Sequence, residues 1–237
     1  MTVLRTTPPP PSDTSGHQRD SPLPRRYHSA MILVGQYDSP FVRRVAISMR
    51  VLGFDYEHDK RSVFGDFDDM LRTNPLGRIP ALILGDGEVL IDSAAILDYL
   101  DQSVGPERAL LPANGAARRR ALRVVALATG GIDKAGAATY ERIIRPSALR
   151  WPEWIARCRK QAAGALAALA AEPWPTDGRL DQPQISTGCL LRYVRMVDPE
   201  LLPAGRHPEL DALHERCEAL PEFQATNPAE YVVPRGD

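Results

Sequence analysis

The segment from residue 31 to residue 53 constrains the fold most, because it predicts a strand, a turn and a helix in direct succession. The apolar run Met31 to Val34 is long enough for one buried strand. Pro40 suits the first helical position, and Gly53 suits the residue that ends a helix. Between them, apolar residues recur at helical spacing: Phe41, Val45, Met49 and Leu52. We therefore expect a helix that begins at Pro40 and ends before Gly53.

The turn between this strand and this helix is a candidate anion site. Tyr37 and Ser39 lie in the turn, beside unpaired backbone N–H groups and the positive end of the helix dipole. Such a helix start is suited to hold a negative charge. The turn alone does not identify the anion, which has to be inferred from the remaining chain.

Shorter elements follow in the first half of the chain. The predicted elements are a strand at 54–58, a weak helix or turn at 65–72, strands at 81–84 and 88–91, and a helix at 93–100. The tripeptide Gly85-Asp86-Gly87 predicts a hairpin turn between the last two strands. The expected order is therefore β-α-β, a weakly structured link, and β-β-α.

The second half is rich in alanine and arginine and contains no credible strand from Ala116 onward. Leu122, Val125 and Ala126 mark one face of a first helix, and further helices are expected around 154–169, 185–197 and 208–220. This periodicity predicts an all-helical region. A single α+β domain is the alternative, which the sharp change in composition disfavours.

We therefore expect an α/β plus all-α fold with two domains, at 29–108 and 113–237. Residues 1–28 contain a proline run and almost no apolar residues, so they cannot bury enough surface to offset the entropy of ordering. This composition predicts a disordered tail.

Composition and charge exclude several classes of partner. The net charge of −1 argues against nucleic acid or an anionic membrane as the main partner, and no apolar stretch reaches the length of a membrane span. The three cysteines form no C-x-x-C pair, which favours a reducing, cytoplasmic setting. The five histidines show no metal-ligand spacing, so we expect no metal.

Three motifs stand in order: Ser39-Pro40, the segment 74–80 (Asn-Pro-Leu-Gly-Arg-Ile-Pro), and Ile91-Asp92-Ser93 at a helix start. With the helical second half, they make residues 31–225 resemble the cytosolic glutathione S-transferase superfamily, and most closely its short bacterial members with an SPFVRR-type first helix. The resemblance implies a thioredoxin-like N-terminal domain that binds glutathione. It also implies a helical C-terminal domain with an apolar second-substrate pocket, a homodimer, and a cytoplasmic location.

The resemblance also assigns glutathione-binding roles to individual residues. A cis Ile79-Pro80 bond would turn the N–H and C=O of its first residue outward, so that a tripeptide pairs with them like an added strand. The Ser93 hydroxyl and nearby helix amides would take the γ-glutamyl carboxylate, and Asp92 would meet the ammonium, although both residues are also ordinary helix caps. Phe41 is a further implied contact. Arg78 either pairs with the glycyl carboxylate or is a solvated turn residue.

The anion at the opening turn would then be the glutathione thiolate. A thiol pKa of about 8.5 must fall by about two units, which requires about 2.7 kcal/mol. A hydrogen bond to the charged sulfur supplies about 1.5–3 kcal/mol, and a helix N-terminus adds about 0.3–1 kcal/mol. Ser39 is the favoured donor because it directly precedes the helix, and Tyr37 is the alternative.

The helical half carries weaker signals. Tyr140 and Arg142, on the helix that contains Leu122, are candidate liners of the second-substrate pocket. Members of the superfamily commonly open a buried helix here with a Ser/Thr-x-x-Asp cap, whereas residues 186–189 read Ser-Thr-Gly-Cys. We therefore expect this cap to be lost, at a cost of about 0.5–2 kcal/mol.

The resulting hypothesis is a glutathione transferase that conjugates glutathione to a small apolar electrophile. One alternative is a non-catalytic relative with a binding or regulatory role, because a fold does not fix a function. Another is a glutathione-dependent peroxidase, isomerase or etherase. Disulfide exchange through a protein thiol is disfavoured, since the opening turn contains no cysteine.

Overall fold

The computed structural model describes residues 31–228, and the tail predicted at 1–28 lies outside them. Four strands form one sheet: β1 (Met31–Val34), β2 (Tyr56–Asp59), β3 (Ala81–Ile83) and β4 (Val89–Ile91), in the order β2-β1-β3-β4. β1 is parallel to β2 and antiparallel to β3, and β3 is antiparallel to β4. This mixed sheet has the thioredoxin-like arrangement, so the predicted fold class of the N-terminal half is confirmed.

Three helices accompany the sheet: α1 (Pro40–Leu52), α2 (Phe67–Thr73) and α3 (Ser93–Val104). α1 has the predicted ends, because Ser39 is its N-cap and Gly53, with a φ of 80°, ends it in the left-handed conformation. The segment predicted as a weak helix or turn forms α2. α1 and α3 pack together through buried apolar side chains that include Val45, Ile96 and Leu100.

The second half is helical: α4 (Gly115–Ile143), α5 (Pro152–Ala170), α6 (Gln182–Val197), α7 (Pro208–Glu218) and α8 (Pro221–Gln224). α4 packs along α5 and α6, and α6 also packs against α1. Small residues permit this close approach, since a Cβ added to Gly131 would lie 3.2 Å from Leu190 Cδ2 and 3.3 Å from Ala165 Cβ. None of the described helices has both the length and the apolar character needed to cross a bilayer.

The buried face of α4 is not the predicted one. Leu122 is 42% exposed, whereas Ala121 and Val124 are buried. Further small residues continue this face toward the C-terminal end of the helix: Ala128, Ala135 and Ala138. The helices approach so closely that alanine and glycine fill the contact, and the larger Leu122 is left outside it.

The expectation of a lost cap in the helical half is wrong. α6 begins at Gln182, so Ser186 and Thr187 lie inside the helix and are buried. A different cap starts the helix: Asp181 Oδ1 accepts from the N–H of Gln184 at 2.9 Å, and the Asp181 N–H donates to Gln184 Oε1 at 3.1 Å. This reciprocal capping box supplies the hydrogen bonds that the absent acid would have made.

A buried arginine joins the two halves. Arg43 of α1 donates to both carboxylate oxygens of Glu218 at 2.8 and 2.9 Å. It also donates to the carbonyls of Phe223 and Thr226, each at 3.1 Å. The guanidinium carbon lies 5.3 Å from the centroid of the Phe223 ring. Arg43 therefore fixes α1 to α7 and to the segment that follows it.

All three cysteines are buried in the helical half: Cys158, Cys189 and Cys217. None is part of a disulfide. Burial raises the pKa of Cys189 and that of Cys217 to about 12. These side chains pack as small core residues.

Candidate functional site

The turn after β1 brings three segments into contact. Gly35 has a φ of 124°, a backbone conformation that glycine adopts without a steric penalty. A Cβ added there would lie 2.6 Å from Val42 Cγ2 and 2.8 Å from Ile79 Cβ. The missing side chain therefore lets the turn, the first turn of α1 and the segment before β3 meet.

Ser39 lies at the start of α1 with its side chain half-buried. Its Oγ accepts from the N–H of Val42 at a long 3.4 Å, and the hydroxyl proton has no acceptor among the described residues. Ser39 lines a cavity of about 480 Å³. A hydroxyl donor and the N-terminal end of a 13-residue helix thus face the same space, where they favour an anion.

Tyr37 lies only two residues away but is engaged elsewhere. Its hydroxyl is 2.9 Å from that of Tyr56, and its ring stacks on His58 with centroids 3.9 Å apart. Burial, followed by the Tyr56 hydrogen bond, raises the pKa of Tyr37 above its usual value. Tyr37 does not line the cavity that contains Ser39.

The peptide bond between Ile79 and Pro80 is cis. The preceding loop is held by Asn74, whose Nδ2 donates to the carbonyl of Arg78 at 2.7 Å and whose Oδ1 accepts from the N–H of Leu76 at 3.0 Å. Within the described residues, neither the N–H nor the C=O of Ile79 is hydrogen-bonded. Ile79 therefore offers an unpaired donor and acceptor directly before β3.

Asp92 and Ser93 form the entry to α3. Asp92 has a φ of 68°, which is uncommon for a residue other than glycine and is typical of functional sites. Its Oδ1 caps the helix by accepting from the N–H of Ala94 at 2.8 Å. Ser93 is buried, with 4% of its surface exposed, and no hydrogen bond occupies its hydroxyl within residues 31–228.

A cavity of about 240 Å³ is lined by all the residues to which the family resemblance assigns glutathione contacts: Phe41, Arg78, Ile79, Pro80, Asp92 and Ser93. It adjoins the larger cavity of Ser39, because Phe41, Arg78, Ile79 and Asp133 line both. We name the two spaces the peptide cavity and the aromatic cavity. A single elongated ligand can therefore run from the start of α3 to the start of α1.

The aromatic cavity lies between the two halves of the chain. Its lining includes Phe64 and Phe67 from the N-terminal half and Tyr140 and Tyr193 from the helical half. Phe64 and Tyr140 meet edge to face with centroids 5.9 Å apart, a favourable geometry for aromatic rings. Among residues 31–228, no group of three or more His, Cys, Asp or Glu side chains is placed to hold a metal ion.

Tyr140 lines the aromatic cavity, whereas Arg142 lines neither cavity. The Nη2 of Arg142 donates to the carbonyl of Val197, and its Nη1 lies 3.5 Å from Asp198 Oδ2. Arg142 therefore ties the end of α4 to the end of α6. The expectation that it lines a substrate pocket is corrected, because these two partners hold its guanidinium outside the cavity lining.

Two charged cavity residues were not anticipated from the sequence. Asp133 stands where the two cavities meet, and burial raises the pKa of its carboxyl while Arg78 opposes that shift. Arg44 lines the peptide cavity from α1 and is 2% exposed. The only signal for Asp133 is an acid within a run of small residues, and the only signal for Arg44 is a second arginine beside Arg43.

Comparisons with known proteins agree with this geometry. Residues 33–108 match the family described as glutathione S-transferase, N-terminal domain. The GST-like protein YibF of Escherichia coli is 30% identical over 206 residues, which cover 84% of this chain and 98% of the relative. A maleylacetoacetate isomerase of Pseudomonas aeruginosa is 26% identical over 211 residues, which cover 84% of this chain and 96% of the relative.

Solved structures extend the likeness to the whole described fold. A glutathione S-transferase of Methylobacterium radiotolerans, in complex with glutathione sulfonate, superimposes with a TM-score of 0.79 at 30% identity and covers 88% of this chain and 100% of its own. A glutathione transferase family member from Pseudomonas fluorescens with bound glutathione gives 0.74 at 34% identity, covering 84% and 99%. The chain belongs to the glutathione S-transferase superfamily.

Proposed function

We propose that this protein is a glutathione transferase that ionises bound glutathione and conjugates it to a small apolar electrophile. The observation that carries the proposal is the position of Ser39, whose hydroxyl and helix N-terminus border the aromatic cavity. This cavity adjoins the peptide cavity through shared lining residues that include Phe41 and Ile79. A tripeptide bound along the peptide cavity would place its central thiol at this junction.

Glutathione binding is supported by the polar groups that the peptide cavity presents. The unpaired N–H and C=O of Ile79 can hydrogen-bond with an extended peptide as an adjacent strand would. Ser93 and the amides at the start of α3 suit the γ-glutamyl carboxylate, and the Asp92 carboxylate suits the ammonium. Arg78, which is exposed at the junction, suits the glycyl carboxylate.

Ser39 would act as a hydrogen-bond donor to the thiolate, since a serine hydroxyl is far too weak an acid to serve as the base. Lowering the thiol pKa by about two units requires about 2.7 kcal/mol. One hydrogen bond to the charged sulfur supplies about 1.5–3 kcal/mol. The N-terminus of α1 supplies a further 0.3–1 kcal/mol or so. These two contributions are sufficient.

The electrophile would occupy the aromatic cavity, whose rings suit a flat, apolar compound. We further infer a homodimer, a cytoplasmic location, and a domain boundary between residues 108 and 113. These rest on the family, on three cysteines without a disulfide, and on the change from the sheet to helices alone after α3. Analytical ultracentrifugation tests the dimer.

The thiolate and its donor are tested by spectroscopy and by conjugation. Ultraviolet difference spectra of bound glutathione across a pH series give the pKa of its thiol, and 1-chloro-2,4-dinitrobenzene serves as the electrophile. We expect Ser39→Ala to keep glutathione binding, to raise the pKa of the bound thiol by about one to two units, and to lower kcat/KM about 10- to 100-fold. Tyr37→Phe is the matched control and should change neither quantity.

Three results would contradict the proposal in whole or in part. If wild-type protein neither binds glutathione nor forms the conjugate, it is not a transferase. If Tyr37→Phe reproduces the loss and Ser39→Ala does not, Tyr37 is the donor. Glutathione binding with an unshifted thiol pKa would favour the non-catalytic alternative.

Glutathione-dependent isomerisation is a second candidate, favoured by the relatives that are maleylacetoacetate isomerases. In such a reaction the thiolate adds to an activated carbon–carbon double bond, rotation follows, and elimination releases the thiolate unchanged. The reaction therefore consumes no glutathione. Measuring glutathione before and after complete turnover of a cis-configured unsaturated diketo acid separates it from conjugation.

A further inference from the structure

Strand β2 holds the turn that carries Ser39 by two hydrogen bonds to the same residue. The N–H of Gly35, which directly follows β1, donates to the carbonyl of Asp59 at 2.8 Å. The carbonyl of Gly35 accepts from Nε2 of His58, also at 2.8 Å. Both polar groups of Gly35 are therefore tied to β2, one through its backbone and the other through a side chain.

The imidazole of His58 makes a second contact with this turn. Its ring stacks on that of Tyr37, with centroids 3.9 Å apart and an interplanar angle of 13°. Because a carbonyl oxygen can only accept a hydrogen bond, the contact with Gly35 places a proton on Nε2. Burial lowers the pKa of His58 from its ordinary value, so the ring is neutral at pH 7 and directs its one N–H at the turn.

The hydroxyl of Ser39 is held only loosely by its own surroundings. Its Oγ accepts from the N–H of Val42 at 3.4 Å, which is long for a hydrogen bond. The Ser39 N–H donates to the carbonyl of Gln36 at 3.2 Å, within the same turn. Since ordering a turn costs conformational entropy, contacts from outside it are needed to keep the hydroxyl in one place.

A donor to a thiolate has to be placed accurately. A hydrogen bond weakens steeply as its geometry departs from the ideal, and a displacement of about 1 Å at a reacting centre can lower a rate about 100-fold. His58 and Tyr37 line neither the peptide cavity nor the aromatic cavity, and the His58 ring adds no charge at pH 7. His58 can therefore influence a bound thiol only through the turn.

We propose that His58 is a positioning residue for thiolate formation, because its hydrogen bond to Gly35 and its stacking on Tyr37 hold Ser39 within reach of the glutathione sulfur. The inference rests on the proposed function. The two contacts restrain the turn on either side of Gln36, and Ser39 follows two residues after the second contact. Strand β2 thereby acts on the chemistry without touching either substrate.

The test uses variants that each remove one contact. His58→Phe keeps a ring that can stack but has no N–H, whereas His58→Gln keeps an N–H donor but has no ring. Glu57→Gln is the matched control, because Glu57 is the neighbouring residue on the same strand, is exposed, and lines neither cavity. Ultraviolet difference spectra give the pKa of the bound glutathione thiol, and conjugation of 1-chloro-2,4-dinitrobenzene gives kcat and KM.

We expect His58→Phe to raise the pKa of the bound thiol by about half a unit to one unit and to lower kcat about 3- to 10-fold. The KM for glutathione should change less than about twofold, because His58 lines neither cavity. His58→Gln should raise the thiol pKa by less than His58→Phe does, since it keeps the donor. Glu57→Gln, and also Tyr37→Phe, which keeps the stacked ring, should match the wild type.

A double variant separates positioning from a general structural role. When Ser39→Ala is already present, His58→Phe should have no further effect on the thiol pKa or on kcat, because the hydroxyl that it positions is gone. A merely structural role would lower kcat by the same factor in both backgrounds and would leave the thiol pKa unchanged. Either of these results would overturn the inference.

Failure of this inference is distinguishable from failure of the proposed function. If Ser39→Ala raises the thiol pKa and His58→Phe does not, His58 has no positioning role and the transferase proposal stands. If ¹⁵N NMR of the wild type shows the His58 proton on Nδ1 instead of Nε2, the inference is also wrong, and this result needs no variant to fold. If the wild type leaves the thiol pKa of glutathione unshifted, both proposals are wrong.

Discussion

Arg43 and Arg44 are consecutive residues of α1, are 1% and 2% exposed, and differ completely in their surroundings. Arg43 donates to Glu218 and to two backbone carbonyls. The side chain of Arg44 forms no hydrogen bond with another described residue, and it lines a cavity. Burial alone therefore does not reveal the role of an arginine. A full set of partners marks Arg43 as structural, whereas the guanidinium of Arg44 has no hydrogen bond or ion pair among the described residues.

The largest expected effect on stability comes from replacing Arg43, the arginine that has hydrogen-bonded partners. Arg43→Met leaves Glu218 and two carbonyls without their donor, so we expect the free energy of unfolding to fall by about 3–5 kcal/mol. Chemical denaturation measures it, with Arg50→Met as a surface control that should stay within about 0.5 kcal/mol of wild type. A loss below about 1 kcal/mol would mean that Arg43 is not a structural joint.

His214 provides a pH-dependent test of the same region, because the charges of Arg43 and Glu218 act on its pKa. Burial lowers the pKa of His214 to about 4, with contributions from Arg195, Arg192 and Arg43 that Glu218 opposes. Above about pH 6.5 the imidazole is neutral in both states. Between about 6.5 and 4, the unfolded chain binds a proton that the folded chain does not. The free energy of unfolding should therefore fall as the pH falls through this window.

After discounting for its partial exposure, this loss is on the order of 1–2 kcal/mol. His214→Gln should remove that part of the pH dependence, and denaturation at pH 7, 6, 5 and 4.5 measures the difference between the two proteins. Parallel curves for the variant and wild type would show that His214 titrates normally in the folded state.

Replacing Asp181 should destabilise the protein while leaving Arg43 and Arg44 unchanged. Asp181→Ala removes the capping box of α6, so we expect a loss of about 0.5–2 kcal/mol. Because Asp181 lines neither the peptide cavity nor the aromatic cavity, the affinity for glutathione should be unchanged. A parallel loss of affinity would show that general destabilisation alone weakens binding.

The smallest effect on stability should come from replacing Arg44. Arg44→Met replaces a buried charge that has no hydrogen-bonded partner with an apolar chain of similar length, so the ligand-free protein should stay within about 1 kcal/mol of wild type or become more stable. Arg43→Met should therefore lower the free energy of unfolding strongly and Arg44→Met should not, although the two residues are adjacent. A loss above about 3 kcal/mol would show that Arg44 has a structural partner.

The sequence predicts the elements whose signals are local. α1 has its capping serine, its first proline and its terminal glycine within a short stretch, and its bounds follow from them. α6 also carries such a signal, since Asp181 and Gln184 have the spacing of a capping box. The apolar run that starts at residue 185 instead predicts a later helix start.

Roles set by distant partners could not be predicted in this way. Glu218 is the ion-pair partner that Arg43 has and Arg44 lacks, and it lies 175 residues from Arg43 along the chain. Tyr37 is directed away from the cavity by Tyr56 and His58 on a neighbouring strand. Arg142 finds its backbone acceptor 55 residues further on. In each case, residue type and periodicity do not distinguish a side chain held by protein partners from one that lines a cavity. The packing of elements distant in the sequence determines which of the two it is.

The buried cysteines have a consequence for chemical resistance. Burial raises the pKa of Cys189 and that of Cys217, so both thiols are protonated at pH 7 and are poor nucleophiles. Cys158, the third cysteine, is fully buried as well. Under the proposed function, the protein would meet alkylating agents that also attack protein thiols. Here every sulfhydryl of the chain is shielded, so the reactive sulfur in the aromatic cavity would be the replaceable one that arrives with the ligand.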